Sequence, residues 1–188
     1  MRAIALLSLA LALILPGSVM AQSSPPFYIN KEYRFAIIFP KEPEARDIVY
    51  TTASGLSLPA REFFAVADGN RHVITVADAS SGPAVDIALV DRIADELRGR
   101  GEVRFQASED YDPGLPGRQL NIFQPDGRQL RASVYMWDHR LYITEAEGAP
   151  GVLSLLRFEQ SVTLLDPDGN ELNLDADVFE RRREGNGN

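Results

Sequence analysis

Few residues in this chain have the types and spacing that chemistry needs. His72 lies four residues beyond Asp68, which would be half of an acid–base or metal pair if a further partner stood near. No second ligand is spaced nearby, so His72 reads as a polar side chain at the opening of a strand. His139 follows Asp138 in a two-residue turn that asks for positive φ, a conformation His tolerates better than most residues. It reads as structural. Ser54 stands in Ala53-Ser54-Gly55-Leu56, without the flanking glycines or the strand-to-helix step of a nucleophile elbow. Asp166, Asp168 and Asn170 alternate as in a calcium loop. However, Glu171 occupies the glycine position and Asp177 the position of the closing glutamate, so a solvated turn is the better reading. There is no Cys, which removes thiol catalysis and disulfides, and no Gly-rich phosphate loop. These residues therefore assign no catalytic residue, no metal ligand and no cofactor. Carboxylates are numerous, and two in one pocket would permit acid–base work, but sequence alone does not place them together.

Binding chemistry has a better candidate. Tyr135, Trp137, Arg140 and Tyr142 fall within eight residues, and Trp, Tyr and Arg are the types enriched where binding energy concentrates. With Phe123 and Arg131 they project from the outer face of a hairpin whose tip carries Trp137 and Arg140. Two readings stand. The group is a binding surface, or a helix layer covers it as a second apolar face, since exposed aromatic patches are uncommon on monomers.

The elements that must position these residues are a three-stranded antiparallel meander from Gly117 to Thr144. Three runs alternate with period two: Leu120 and Ile122; Leu130, Ala132, Val134 and Met136; Leu141 and Ile143. Pro125-Asp126-Gly127 suits a three-residue loop with Gly in the left-handed conformation. That loop pairs Ile122 with Leu130 and Leu120 with Ala132. The Asp138-His139 loop pairs Met136 with Leu141, Tyr135 with Tyr142 and Val134 with Ile143. A slip of one residue would reverse every side chain, so both registers agree with the apolar pattern. Three strands alone do not bury enough apolar surface to offset the entropy of ordering them, so the rest of the chain must cover them.

Short strands precede the meander: Phe27 to Ile29, Phe35 to Phe39, Arg46 to Ala53, and a hairpin of Leu58 to Ala67 with His72 to Ala77 about Asp68-Gly69-Asn70. A helix follows, with Pro83 at or near its first position and Ile87, Val90, Ile93, Ala94 and Leu97 as its apolar stripe. Gly99 and Gly101 end it. Val103 and Phe105 start a strand that leads into the meander. Pro150 opens a shorter helix with Val152, Leu155, Leu156 and Phe158, and Ser161 to Leu165 forms a last strand. The fold class is α+β, an antiparallel sheet flanked by helices.

Residues 1–21 read as a signal peptide. Arg2 gives the positive start, Ala3 to Leu15 the apolar run, and Val19-Met20-Ala21 a cleavage site before Gln22. The apolar run is short for a membrane span, so the expectation is export, to the periplasm or beyond, with no membrane anchor after cleavage. About 167 residues would remain, enough for one domain with one core, here residues 22–165. Residues 166–188 form a C-terminal extension expected to be partly disordered. Without Arg2, 18 basic residues face 27 acidic ones, which argues against a nucleic-acid partner and against anionic lipid.

A family resemblance runs through the same residues. Phe35-Ala36-Ile37-Ile38-Phe39-Pro40 with Pro43 is similar to the opening strand of the Mog1/PsbP-like fold. Asp126-Gly127, Arg131, Tyr135 and Arg140-Leu141-Tyr142 resemble its meander, and Arg157-Phe158 with Ser161 to Leu164 its closing helix and strand. The resemblance spans about Phe27 to Leu165 and is to the small exported bacterial members of the family, whose function is unknown. It implies an α/β/α sandwich and a non-catalytic role, since better-known relatives bind other proteins, a small GTPase in one branch and photosystem II in another. It matches no site motif of those branches, and Asp138-His139 stands where relatives often carry Gly. The expectation is an exported binding or accessory module acting on a protein of the cell envelope. The alternatives are a secreted enzyme with a carboxylate-based site and a small-ligand carrier.

Overall fold

The turns dictate the sheet. In a computed structural model that describes residues 27–108, 110–112 and 115–174, β3 (Glu44–Thr51), β4 (Ser57–Ala67) and β5 (Asn70–Asp78) run antiparallel in sequence order. β4 and β5 are joined by Asp68 and Gly69, both at positive φ. The meander is β8 (Leu115–Phe123), β9 (Gln129–Trp137) and β10 (Arg140–Gly148). Its registers are those read from the sequence: Ile122 opposite Leu130 and Leu120 opposite Ala132, then Met136 opposite Leu141 and Tyr135 opposite Tyr142. Gly127 takes φ +85°, and the loop closes with Gly127 N–H donating to the Gln124 carbonyl and Gln124 N–H to that of Arg128.

What local pattern does not specify is the join between the halves. β10 lies against β5 over eight residue pairs, Arg140 opposite Asp78 through Glu147 opposite Arg71. With β6 (Glu102–Ala107) the large sheet has the order β3-β4-β5-β10-β9-β8-β6. β7 (Asp110–Asp112) pairs with β8 beside it. A small second sheet consists of β1 (Tyr28–Asn30), β2 (Phe35–Ile37) and β11 (Thr163–Leu164).

The two faces of the large sheet bury different partners. On one face, α1 (Ile87–Arg98) packs Leu89, Val90, Ile93, Ala94 and Leu97 onto Leu120, Ile122, Leu130, Ala132, Val134 and Met136. On the other, α2 (Leu153–Gln160) and the small sheet pack Leu155, Phe158, Phe35 and Ile37 against Phe63, Ile74, Tyr135 and Tyr142. The molecule is α+β, built on antiparallel sheets with two helices.

Two sequence readings of the helices need correction. α1 begins at Ile87 rather than near Pro83. Asp86 is its N-cap, accepting from the backbone N–H groups of Ala88 and Leu89 at 3.0 and 3.1 Å, and a capping carboxylate fixes the start more strongly than a preceding Pro. Ile87, placed in the apolar stripe, is 53% exposed, and Leu89 takes its place in the core. In α2, Val152 caps the helix without a side-chain hydrogen bond. The signal-peptide assignment (1–21) and most of the C-terminal extension (175–188) lie outside the described residues. Among the described residues, no helix is long and apolar enough to cross a membrane.

Candidate functional site

Register brings the four expected binding residues into two neighbouring rows across the sheet. Trp137 lies opposite Arg140, and Arg140 opposite Asp78. The next row runs from Tyr135 through Tyr142, Val76 and Arg61 to Asp47. All of these side chains share the face that carries α2 and the small sheet.

Covering separates them. Tyr135 and Tyr142 are buried in the core of that face, so neither presents a binding surface. The alternation that places them outside the meander is correct, but a second layer lies over it. Burial pushes the Tyr142 hydroxyl up to about 12, against the opposing pull of Arg140 and Arg34. Trp137 is half-buried and packs on the same core. Arg140 is half-buried and lines a cleft.

That cleft, about 570 Å³, is lined by residues of the β1–β2 connection, β3, β4, β5 and the β9–β10 hairpin tip. Tyr33, Asp47, Arg61, Asp78, Asp138 and Arg140 are among the residues that line it. Three of its carboxylates are engaged by donors. Arg34 Nη1 donates to Asp138 Oδ2, and Arg61 Nη1 donates to Asp47 Oδ1 at 2.7 Å. Ser80 N–H donates to Asp78 Oδ1 at 2.8 Å, and Ser80 above all holds the Asp78 carboxyl below its ordinary value. His139 and Asp138 both adopt positive φ, so the hairpin tip is a tight left-handed turn without Gly.

Sequence reasoning missed a second polar group, beneath α2. His72 is fully buried rather than a strand-end residue, because β5 begins at Asn70 and not at His72. Its Nε2 faces Ser154 Oγ at 3.3 Å and its ring meets Phe158 edge-on, centroids 5.3 Å apart. Burial lowers its pKa. In the same row, past Ala146, Arg131 Nη2 donates to Glu159 Oε2 at 3.1 Å. Glu159 is withdrawn from water, which raises its carboxyl above the ordinary value. A raised carboxyl is what a general acid needs, yet this one lies under a helix and away from the cleft. The Ser154–His72 pair has the atoms of a nucleophile and base, with the imidazole fully enclosed. The available signal was Glu159 itself, an acidic residue next to Phe158 on the apolar side of a short helix.

The remaining candidates are structural. Asn170 donates from its backbone N–H and its side chain to Asp166, and these bonds hold the Asp166 carboxyl below the usual range. Ser54 lies within 2.9 Å of Thr52 Oγ1 in the β3–β4 connection. Among the described residues, no group of three or more His, Asp or Glu is placed to hold a metal ion.

No family model matches the chain, and no curated protein matches it. A solved structure from Pseudomonas aeruginosa, the protein of unknown function PA94, is similar over 57% of this chain and 86% of its own, at 18% identity and a TM-score of 0.36. A likeness of that size decides neither fold family nor function.

Proposed function

We propose that the chain is an exported, non-catalytic binding module that takes a protein partner of the cell envelope at the cleft beside the β9–β10 hairpin. In this reading the architecture is an α/β/α sandwich of the Mog1/PsbP type, with α1 as one layer and α2 with the small sheet as the other. One observation carries it. Three of the carboxylates lining the cleft, Asp47, Asp78 and Asp138, are engaged by donors. Carboxylates so engaged are suited to charge recognition. Export rests on Arg2, the apolar run and Val19-Met20-Ala21, and implies a mature N-terminus at Gln22 by mass.

The experiment is site-directed photo-crosslinking in the source cell. A benzophenone amino acid replaces Glu32, exposed on the cleft rim, or Arg104, exposed on the far strand β6. A discrete polypeptide captured from position 32 and not from 104, and lost on Arg140→Glu, is the expected result. Equal capture from both positions, or none from 32, overturns the proposal. A small-ligand carrier is the second reading, favoured by a cleft volume within the usual range for ligand pockets. A small molecule retained in native mass spectra of the purified protein would support it.

A further inference from the structure

We infer that the outer edge of β3 docks one extended segment of a partner polypeptide, a segment with a basic residue two positions from an apolar one. The inference rests on the protein-binding reading above and specifies how the partner is held.

β3 is the terminal strand of the large sheet. Its eight residues pair with β4 in unbroken register on one side, from Glu44 opposite Phe64 to Thr51 opposite Ser57. Among the described residues no strand pairs with its other side. A free edge presents unpaired backbone N–H and C=O groups, the template for strand addition. The other end of the sheet is a poorer template: β6 carries a register shift between Val103 and Phe105, and a bulge interrupts the ladder and twists the edge away.

Side chains on β3 state what the added strand should carry. Asp47 lies opposite Arg61 on the cleft face, and alternation puts Val49 on the same face. Asp47 has a side chain 79% exposed and Val49 is 67% exposed. A strand laid along β3 sets one residue opposite Asp47 and another, two positions along, opposite Val49. Asp47 accepts a hydrogen bond from the Arg61 guanidinium, and Glu32 and Asp138 line the same cleft. Arg61 and Arg140 are more withdrawn, with side chains 32% and 29% exposed, beside Asp47 and Asp138. The accessible charge is negative, so the complementary residue is Lys or Arg, with an apolar neighbour for Val49. A second copy of this chain fits less well. Two-fold antiparallel pairing of β3 with itself matches residues whose numbers sum to an even value, so no such register sets Asp47 against Arg46, the basic residue of the strand.

The test uses the full mature chain and two fluorescein-labelled peptides, Thr-Lys-Thr-Val-Thr-Lys-Thr and the same peptide with Glu for Lys. Their symmetry serves either strand direction. Anisotropy should show saturable binding of the Lys peptide, at least about tenfold tighter than the Glu peptide. Hydrogen exchange should slow at amides within Glu44–Thr51 when the Lys peptide is added. Asp47→Lys should invert the preference, and Val49→Glu should weaken the Lys peptide, both with the melting temperature retained. No saturable binding, a preference unchanged by Asp47→Lys, or slow exchange in the free protein at the outward-pointing β3 amides that are not bonded to β4, as a second copy or another segment of this chain would produce, each overturns the inference. Protection confined to the cleft around Tyr33 and Arg140 also overturns it while leaving the cleft reading intact. Absence of any cross-link from position 32, with the peptide still adding to β3, instead overturns the cleft reading.

Discussion

Arg131 on β9 and Glu159 on α2 form an ion pair at 3.1 Å with side chains 15% and 0% exposed. It fastens a helix that has no side-chain N-cap to the middle of the sheet. Charges so far from water repay their desolvation only through each other, so removing one partner costs more than removing both. Arg131→Met should therefore lower unfolding stability by about 3 kcal/mol, since it strands a buried carboxylate. The double change Arg131→Met with Glu159→Leu should lie within about 1 kcal/mol of the parent, or above it. Urea unfolding of the three proteins checks this. A double variant as weak as the single one would mean that the pair is not what positions α2.

The same layer predicts an acid limb to stability. Burial lowers the His72 pKa below its ordinary 6.5, so the unfolded chain accepts a proton that the folded chain resists. Its contribution is full above about 6.5 and declines as pH falls from there towards the depressed folded value. Glu159 works in the opposite sense. Burial raises its carboxyl above the ordinary 4.5, so its contribution is full below 4.5 and is lost as pH rises through the raised value. Just below pH 6.5, loss through His72 should make stability fall, and His72→Leu should flatten that slope. Melting temperature against pH for the two proteins is the measurement; identical slopes would place the titration elsewhere.

Gly127 isolates the cost of one turn. Its φ is +85° and nothing lies within 4 Å of where a Cβ would stand, so any penalty on substitution comes from the backbone alone. Gly127→Val should cost about 1–3 kcal/mol, because a β-branched residue resists positive φ. Gly127→Asn should cost much less, since Asn visits that region readily. Equal and negligible losses in chemical denaturation would show that the loop relaxes to another form.

How far sequence reached follows from how local each determinant is. The meander was legible because Pro125-Asp126-Gly127 and Asp138-His139 fix two registers within a few residues, and the apolar pattern agrees with both. The β5–β10 pairing was not, because it joins residues 62 to 76 positions apart and nothing in either strand names its neighbour. The start of α1 was misplaced because Pro83 was read as the start signal and the capping carboxylate of Asp86 was not. Tyr135 and Tyr142 show the same limit from the other side. Alternation assigned their face correctly, but whether that face meets water depends on β2, α2 and β11, contributed from both ends of the described chain. The cleft was half legible: Arg140 was singled out, while Asp47, Arg61 and Asp78 join it through non-local register alone.

Trp137 decides how much of the hairpin tip is structure. It lies opposite Arg140 and packs, half-buried, on the core that holds Tyr142, Tyr135 and Phe35. Full burial of a Trp is worth about 3–5 kcal/mol against Ala, so a half-buried one should be worth about 2. Trp137→Ala should lower the melting temperature by about 4–8 °C at this chain length, and Trp137→Phe should recover most of that. A neutral Trp137→Ala would mean that the indole packs on nothing and is held ready for a partner. The expected loss makes Trp137 the support and Arg140 the contact. Cross-linking from position 32 should then survive Trp137→Phe and fail in Arg140→Glu. The reverse pattern would assign recognition to the indole and leave Arg140 as its prop.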